Sequence, residues 1–130
     1  VKMELQLGIT GQRVAEVVVG FTITIRFGEP VEFELQIEGD PRFRTTTGNL
    51  LSVTAENYAD IDADLESLVG SAVTRAVASE ADGLSLEFDS GAALHVPVHA
   101  KYEAWGIVGI DGSRVISLPG GELAVWSARA

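Results

Sequence analysis

Two stretches of the chain alternate apolar and polar residues with a period of two, and no other feature restricts the fold as much. Ile23, Ile25 and Phe27 are apolar, with Thr22, Thr24 and Arg26 between them. After Gly28-Glu29-Pro30, the apolar residues Val31, Phe33, Leu35 and Ile37 are separated by Glu32, Glu34, Gln36 and Glu38. Successive side chains of a strand point to opposite sides of a sheet, so this pattern predicts a hairpin with one buried face and one wet face.

The pattern returns downstream. Leu84, Leu86 and Phe88 lead into Asp89-Ser90-Gly91, and Ala92, Leu94, Val96 and Val98 carry the apolar parity onward. Phe27 maps onto Phe88, 61 positions later, and Phe33, Leu35 and Ile37 then fall on Leu94, Val96 and Val98. Upstream, GQRVAEVVV from Gly11 matches GSAVTRAVA from Gly70, 59 positions later, with a longer turn at Glu80–Gly83 absorbing the difference. The leading glycine, the parity and the three-residue turn agree. They predict an internal repeat over about 9–39 and 68–100, each copy a three-stranded meander.

Between the copies, 43–46 and 50–54 read as a hairpin turning near Gly48-Asn49. Tyr58, Ile61, Leu65 and Leu68 then share one helical face, which predicts a short helix near 58–69, with Asp60 and Asp62 near its N-terminus and Gly70 beyond its end. At the C-terminus, Asp111-Gly112 and Pro119-Gly120 are turn signals that divide 102–126 into a third meander, with strands over 102–110, 114–118 and 123–126. The expected fold is mainly β: an antiparallel sandwich or partly closed barrel in one domain, 1–130, made of two repeated meanders, a C-terminal meander and one short helix.

Both tryptophans lie in the last segment, Trp105 and Trp126, close to Tyr102. They can close the core or line a ligand pocket between the repeats. Large aromatics bury roughly 150–250 Å² each, which favours the core reading in a chain of 130 residues. The run YEAW, a glycine-turn hairpin and PGGELAVW resemble the C-terminal signature of a family of small uncharacterised bacterial proteins, a domain of unknown function. LVG..V and LEFDSGAALHV are similar to that family in order and spacing. The resemblance implies no activity. By analogy alone, it points to accessory or immunity-type proteins.

Composition narrows the function classes. With 9 basic and 19 acidic residues the formal net charge is −10, which disfavours nucleic acid and anionic lipid as partners and favours a basic protein. There is no cysteine, so disulfides and thiolate chemistry are excluded. No apolar run approaches the roughly 20 residues of a membrane helix, and the N-terminal residues lack the pattern of a signal peptide, so the expected location is cytoplasmic.

Catalytic and metal motifs are missing. His95 and His99 sit on a predicted strand, where four residues span roughly 13 Å, too far to share one tetrahedral ion. The repeat maps them to Glu34 and Glu38 on the wet face. Asp60–Ser71 begins like a calcium loop, but Leu65 stands where the turn needs glycine and Ser71 where a bidentate glutamate is required. No nucleophile elbow, phosphate loop or dinucleotide fingerprint occurs. The expectation is no catalytic residue, no metal and no cofactor. The feature that stands out is the row Glu32, Glu34 and Glu38, with Gln36 completing it; pairing across Gly28-Glu29-Pro30 places Arg26 opposite Glu32. The leading functional reading is a non-catalytic protein-binding module that docks a basic partner on this row. The alternatives are a small-ligand binder at Trp105, Trp126 and Tyr102, and a carboxylate-dependent hydrolase.

Overall fold

The computed structural model of the protein describes residues 4–128. Within them, twelve strands form two six-stranded antiparallel sheets that do not close into a barrel. The first meander is β2 (Val14–Val19), β3 (Ile23–Phe27) and β4 (Phe33–Ile37). The second is β7 (Val73–Ser79), β8 (Gly83–Phe88) and β9 (Ala93–Val96). Each begins a different sheet. The short hairpin β5 (Arg42–Arg44) and β6 (Leu50–Ser52) follows the first meander in the chain but pairs with β9 of the second. The C-terminal strands β10 (Trp105–Gly109), β11 (Arg114–Ser117) and β12 (Leu123–Trp126) follow the second meander but pair with β4 of the first. The spatial orders are therefore β2-β3-β4-β10-β11-β12, the first sheet, and β1-β7-β8-β9-β5-β6, the second, where β1 is Glu4–Gln6.

Alternation builds these strands as the sequence predicts. Ile23, Ile25 and Phe27 are fully buried, as are Leu35 and Ile37 opposite them. Leu84, Leu86, Leu94 and Val96 are buried in the second copy. Each such side chain contributes about 1.5–3 kcal/mol when withdrawn from water. The two copies also share details that no pattern of hydrophobicity requires. Both carry a register shift at the same place, between Val14 and Glu16 and between Val73 and Arg75. Their first strands meet at the Arg13–Ala72 bridge with reciprocal hydrogen bonds: Gly11 N–H to Val73 O (2.8 Å) answers Gly70 N–H to Val14 O (2.8 Å), and Val14 N–H to Ser71 O (2.9 Å) answers Val73 N–H to Gln12 O (2.9 Å). Reciprocity of this kind is the mark of a local two-fold relation.

The hairpins correspond too, which the sequence reading missed. The loops 45–49 and 109–113 are the same length and close alike: Thr45 N–H to Asn49 O (2.9 Å) and Gly48 N–H to Thr45 O (3.0 Å) match Gly109 N–H to Ser113 O (2.8 Å) and Gly112 N–H to Gly109 O (3.1 Å).

Three expectations need correction. The β3–β4 connection is five residues, 28–32, not three. Glu32 N–H closes it onto Phe27 O (2.9 Å), so Val31 is exposed and Glu32 stands in the loop. Arg26 consequently faces Glu34, and Thr24 faces Gln36. The two turns therefore differ by two residues, and His95 corresponds to Gln36 and not to Glu34. His99 lies beyond the end of β9, in the segment that crosses to the other sheet. Finally, the aromatics divide: Trp105 is buried, but Trp126 is 49% and Tyr102 57% exposed. Trp126 stands in the outer-face row of the first sheet, opposite Arg114, and Tyr102 lies in the loop before β10, so neither points into the core.

The helical stripe lies as expected, with Tyr58, Ile61, Leu65 and Leu68 all buried, although the segment is a 3-10 turn over Ala55–Ile61 running into α1 (Asp62–Glu66). Tyr58 ties it to the point where the two crossing segments meet, donating to Gly39 O at 2.5 Å. There the N–H groups of Glu38 and Gly39 both reach Ala104 O at 2.9 Å. A side chain at position 39 would meet the Cβ of Ala104 at 3.1 Å.

Two measurements check this account. Gly83 has φ +88°, and a Cβ there would stand 2.1 Å from Val96 O, whereas at Gly48 (φ +92°) nothing lies within 4 Å. Gly83→Ala should lower the urea unfolding free energy by about 3 kcal/mol or more, and Gly48→Ala by only about 1 kcal/mol. Burial, reinforced by Asp40 and Glu38, pushes the Tyr58 hydroxyl up to about 12. A raised folded value means that stability is complete below the ordinary tyrosine range near 10 and is lost as pH rises towards 12. Alkaline titration of unfolding should show this loss in the wild type and a smaller one in Tyr58→Phe.

Candidate functional site

Parity places alternate residues of every strand on the outer faces, and the register lines them into rows. Across the first sheet one row reads Glu16, Arg26, Glu34, Val108, Arg114 and Trp126. Arg26 sits between two carboxylates. It donates through Nε to Glu34 (3.1 Å) and through a terminal nitrogen to Glu16, and these contacts raise its already high pKa. Arg114 lies over the Trp126 ring, 5.3 Å from its centre. The neighbouring row is Val18, Thr24, Gln36, Gly106, Ile116 and Ala124.

Because Gly106 has no side chain, the middle of this face is hollow. A groove of about 180 Å³ lies over it, walled by Val108 and Ile116 and carrying Glu34, Glu38, Glu103 and Arg114. Of the predicted row, Glu34 and Glu38 line the groove. Glu32 does not: its carboxylate accepts from Gln12 Nε2 at 3.2 Å in the loop. Glu103 was missed, since it precedes β10 and only the exchange of hairpins brings it beside β4.

The predicted aromatic pocket is not assembled. Trp105 belongs to the core and to the wall of the acidic groove, and Tyr102 packs on His99 with ring centres 4.6 Å apart. Trp126 lines a separate groove of about 340 Å³ between β1 and β10–β12, with Leu5, Leu7, Phe33, Val115 and Val125.

The histidines are both engaged. His95 Nε2 is 2.6 Å from Asp82 O. His99 Nδ1 accepts from the N–H groups of Lys101 (3.0 Å) and Tyr102 (3.3 Å), which leaves the proton on Nε2, 3.9 Å from Asp40 Oδ2. His99 thus has no free basic nitrogen. It borders a polar cleft of about 550 Å³ with Asp40, Arg42, Asn57 and Asp60. Among the described residues no three His, Asp or Glu side chains converge as metal ligands, and Asp60, Asp62 and Asp64 lie on helical turns. No helix among them is long and apolar enough to cross a membrane.

A family model, "Family of unknown function (DUF6188)", matches residues 5–127. The chain belongs to this family. No curated protein and no solved structure matches it. The family match spans both sheets, so the acidic groove and the crossing segments are part of the family domain and not an appendage to it.

The different surroundings of the two tryptophans are measurable. Acrylamide should quench Trp126 readily and Trp105 hardly at all. Trp126→Phe should leave blue-shifted emission that acrylamide barely reduces.

Proposed function

We propose that this DUF6188 protein is a non-catalytic protein-binding module, of the bacterial accessory or immunity type, which docks a basic partner on the outer face of its first sheet. The observation that carries this reading is the groove over Gly106. It combines three carboxylates with apolar side chains, Ile116 and Val108, the latter 42% exposed. An apolar floor with a charged rim is the usual anatomy of a protein interface. Arg26 already satisfies Glu34, so Glu38 and Glu103 are the groups that supply charge to an incoming lysine or arginine. A net charge of −10 steers such a partner from a distance.

Acid–base catalysis has less support. His99, the imidazole beside Asp40, spends Nδ1 on the main chain and directs its Nε2 at that carboxylate. A small apolar ligand in the groove beside Trp126 is the second reading, favoured by the apolar lining of Leu5, Leu7, Phe33 and Val125. A fatty acid or similar probe should then shift Trp126 emission, and an unchanged spectrum across such probes removes this reading.

Affinity capture from native lysate tests the first reading. The wild type should retain basic proteins in a salt-sensitive way. Glu38→Lys with Glu103→Lys should lose them, while the melting temperature stays within a few degrees. Gly106→Lys offers a second handle. A Cβ there meets nothing closer than Ile116 at 3.5 Å, so the new side chain fits and fills the groove with its own cation. It should block capture as well. Retention of the same proteins by both variants rejects the acidic groove.

A further inference from the structure

The outer face of the second sheet has the same architecture with the charges exchanged. Its central row reads Arg75, Glu87, Ala93, Arg44 and Leu50. Position by position it answers the row of the first sheet. Arg75 follows its bulge where Glu16 follows the other, and each pairs with a residue of opposite sign, Glu87 in place of Arg26. Ala93 replaces Glu34, and Arg44 replaces Val108. A groove of about 360 Å³ over this face carries Arg42, Arg44 and Arg75 against one acid, Glu87. The groove on the first sheet carries Glu34, Glu38 and Glu103 against one base, Arg114. Arg75 reaches Glu87 at 3.6 Å, but Arg42 and Arg44 have no ion pair among the described residues. Leu50, at the end of the row, is 78% exposed.

So a protein with a net charge of −10 holds three of its nine cationic side chains on one groove. We propose that the arginine face is a docking surface and that its occupant is the acidic face of a second copy of the chain. Each groove presents the charges the other lacks, and each has a shallow floor, Gly106 in one and Ala93 in the other, into which a long side chain can enter. The two faces lie on opposite sides of the sandwich. The contact is therefore head-to-tail and leaves a free face at either end, so it does not close into a dimer. Six strands by about five residues measure roughly 29 Å by 17 Å, which would bury about 1,000 Å² in total, the size of a transient contact. The proposal does not depend on whether the acidic groove also takes a different protein.

The salt dependence distinguishes this contact from an apolar one. Two copies repel through their net charge over a long range, whereas the groove pairs attract over a few ångströms. The Debye length is about 30 Å at 0.01 M salt, 10 Å at 0.1 M and 3 Å at 1 M. Association should thus be strongest near about 0.1 M and weaker on both sides, whereas apolar association grows steadily with salt.

Sedimentation velocity on the full chain, as a function of concentration and salt, is the test. The wild type should show a weight-average coefficient that rises with concentration near 0.1 M salt and returns towards the monomer at 1 M. Two neutralised variants, Arg44→Gln with Arg75→Gln on the arginine face and Glu38→Gln with Glu103→Gln on the acidic face, should each stay monomeric alone. Mixed, they should form a one-to-one complex that grows no further, since each keeps the face the other lacks. Circular dichroism melting of each variant confirms that it is folded. A wild type that is monomeric at every salt concentration overturns the proposal, and so does association that strengthens up to 1 M or a mixture of folded variants that shows no complex. Because Arg44→Gln with Arg75→Gln leaves Glu38 and Glu103 unchanged, its capture of a basic partner can fail or persist independently of self-association.

Discussion

The carbonyl of Ala104 accepts hydrogen bonds from the N–H groups of both Glu38 and Gly39, and the rest of the architecture depends on this crossing. Here the chain leaving β4 for the second sheet passes the chain returning from β9 to the first. Each sheet is completed by a hairpin from the other half. The last strand of either meander would otherwise be an open edge, with a row of unpaired amide groups. Exchange removes that edge, and it links the halves through main-chain hydrogen bonds in addition to apolar contact. Gly39 permits the approach because Ala104 leaves no space for a Cβ, and the buried Tyr58 hydroxyl holds Gly39 from the other side. Asp40 and His99, which occupy corresponding places in the two crossing segments, face each other at 3.9 Å.

What could be read in the sequence follows from what parity determines. Alternation fixes which side chains are buried, and nearly all of Ile23 to Ile37 and Leu84 to Val96 fall where the pattern places them. It does not fix register in steps of two. Arg26 opposite Glu32 and Arg26 opposite Glu34 keep the same faces inside, and only the length of the loop separates them. The five-residue connection ending at Glu32 decides it. Nor does alternation say which sheet a hairpin joins. The pattern at Arg42–Ser52 does not say which of the two edges, β4 or β9, it joins. The decision lies in the crossing, which is made by contacts between residues some 65 positions apart, such as Gly39 and Ala104.

The candidate site was legible to the same extent. Glu34 and Glu38 could be placed on one face from the sequence of a single strand. Glu103 and Gly106 could not, because β10 neighbours β4 only through the exchange. Trp126 was misjudged for a related reason. Aromatic area is an argument for burial only where a second layer is present to bury it, and Trp126 takes its place in the outer-face row, opposite Arg114.

The contrast between inner and outer faces explains how two copies of one design come to carry opposite charge. Inside, each position faces the other sheet, and a change of size or polarity there costs several kcal/mol. Outside, solvent screening leaves an ion pair between exposed side chains little weight in folding, so Glu16–Arg26 and Arg75–Glu87 are nearly interchangeable as far as folding is concerned. Stability therefore does not choose between the two arrangements, and the fold leaves the polarity of each face free to be set by what the face meets.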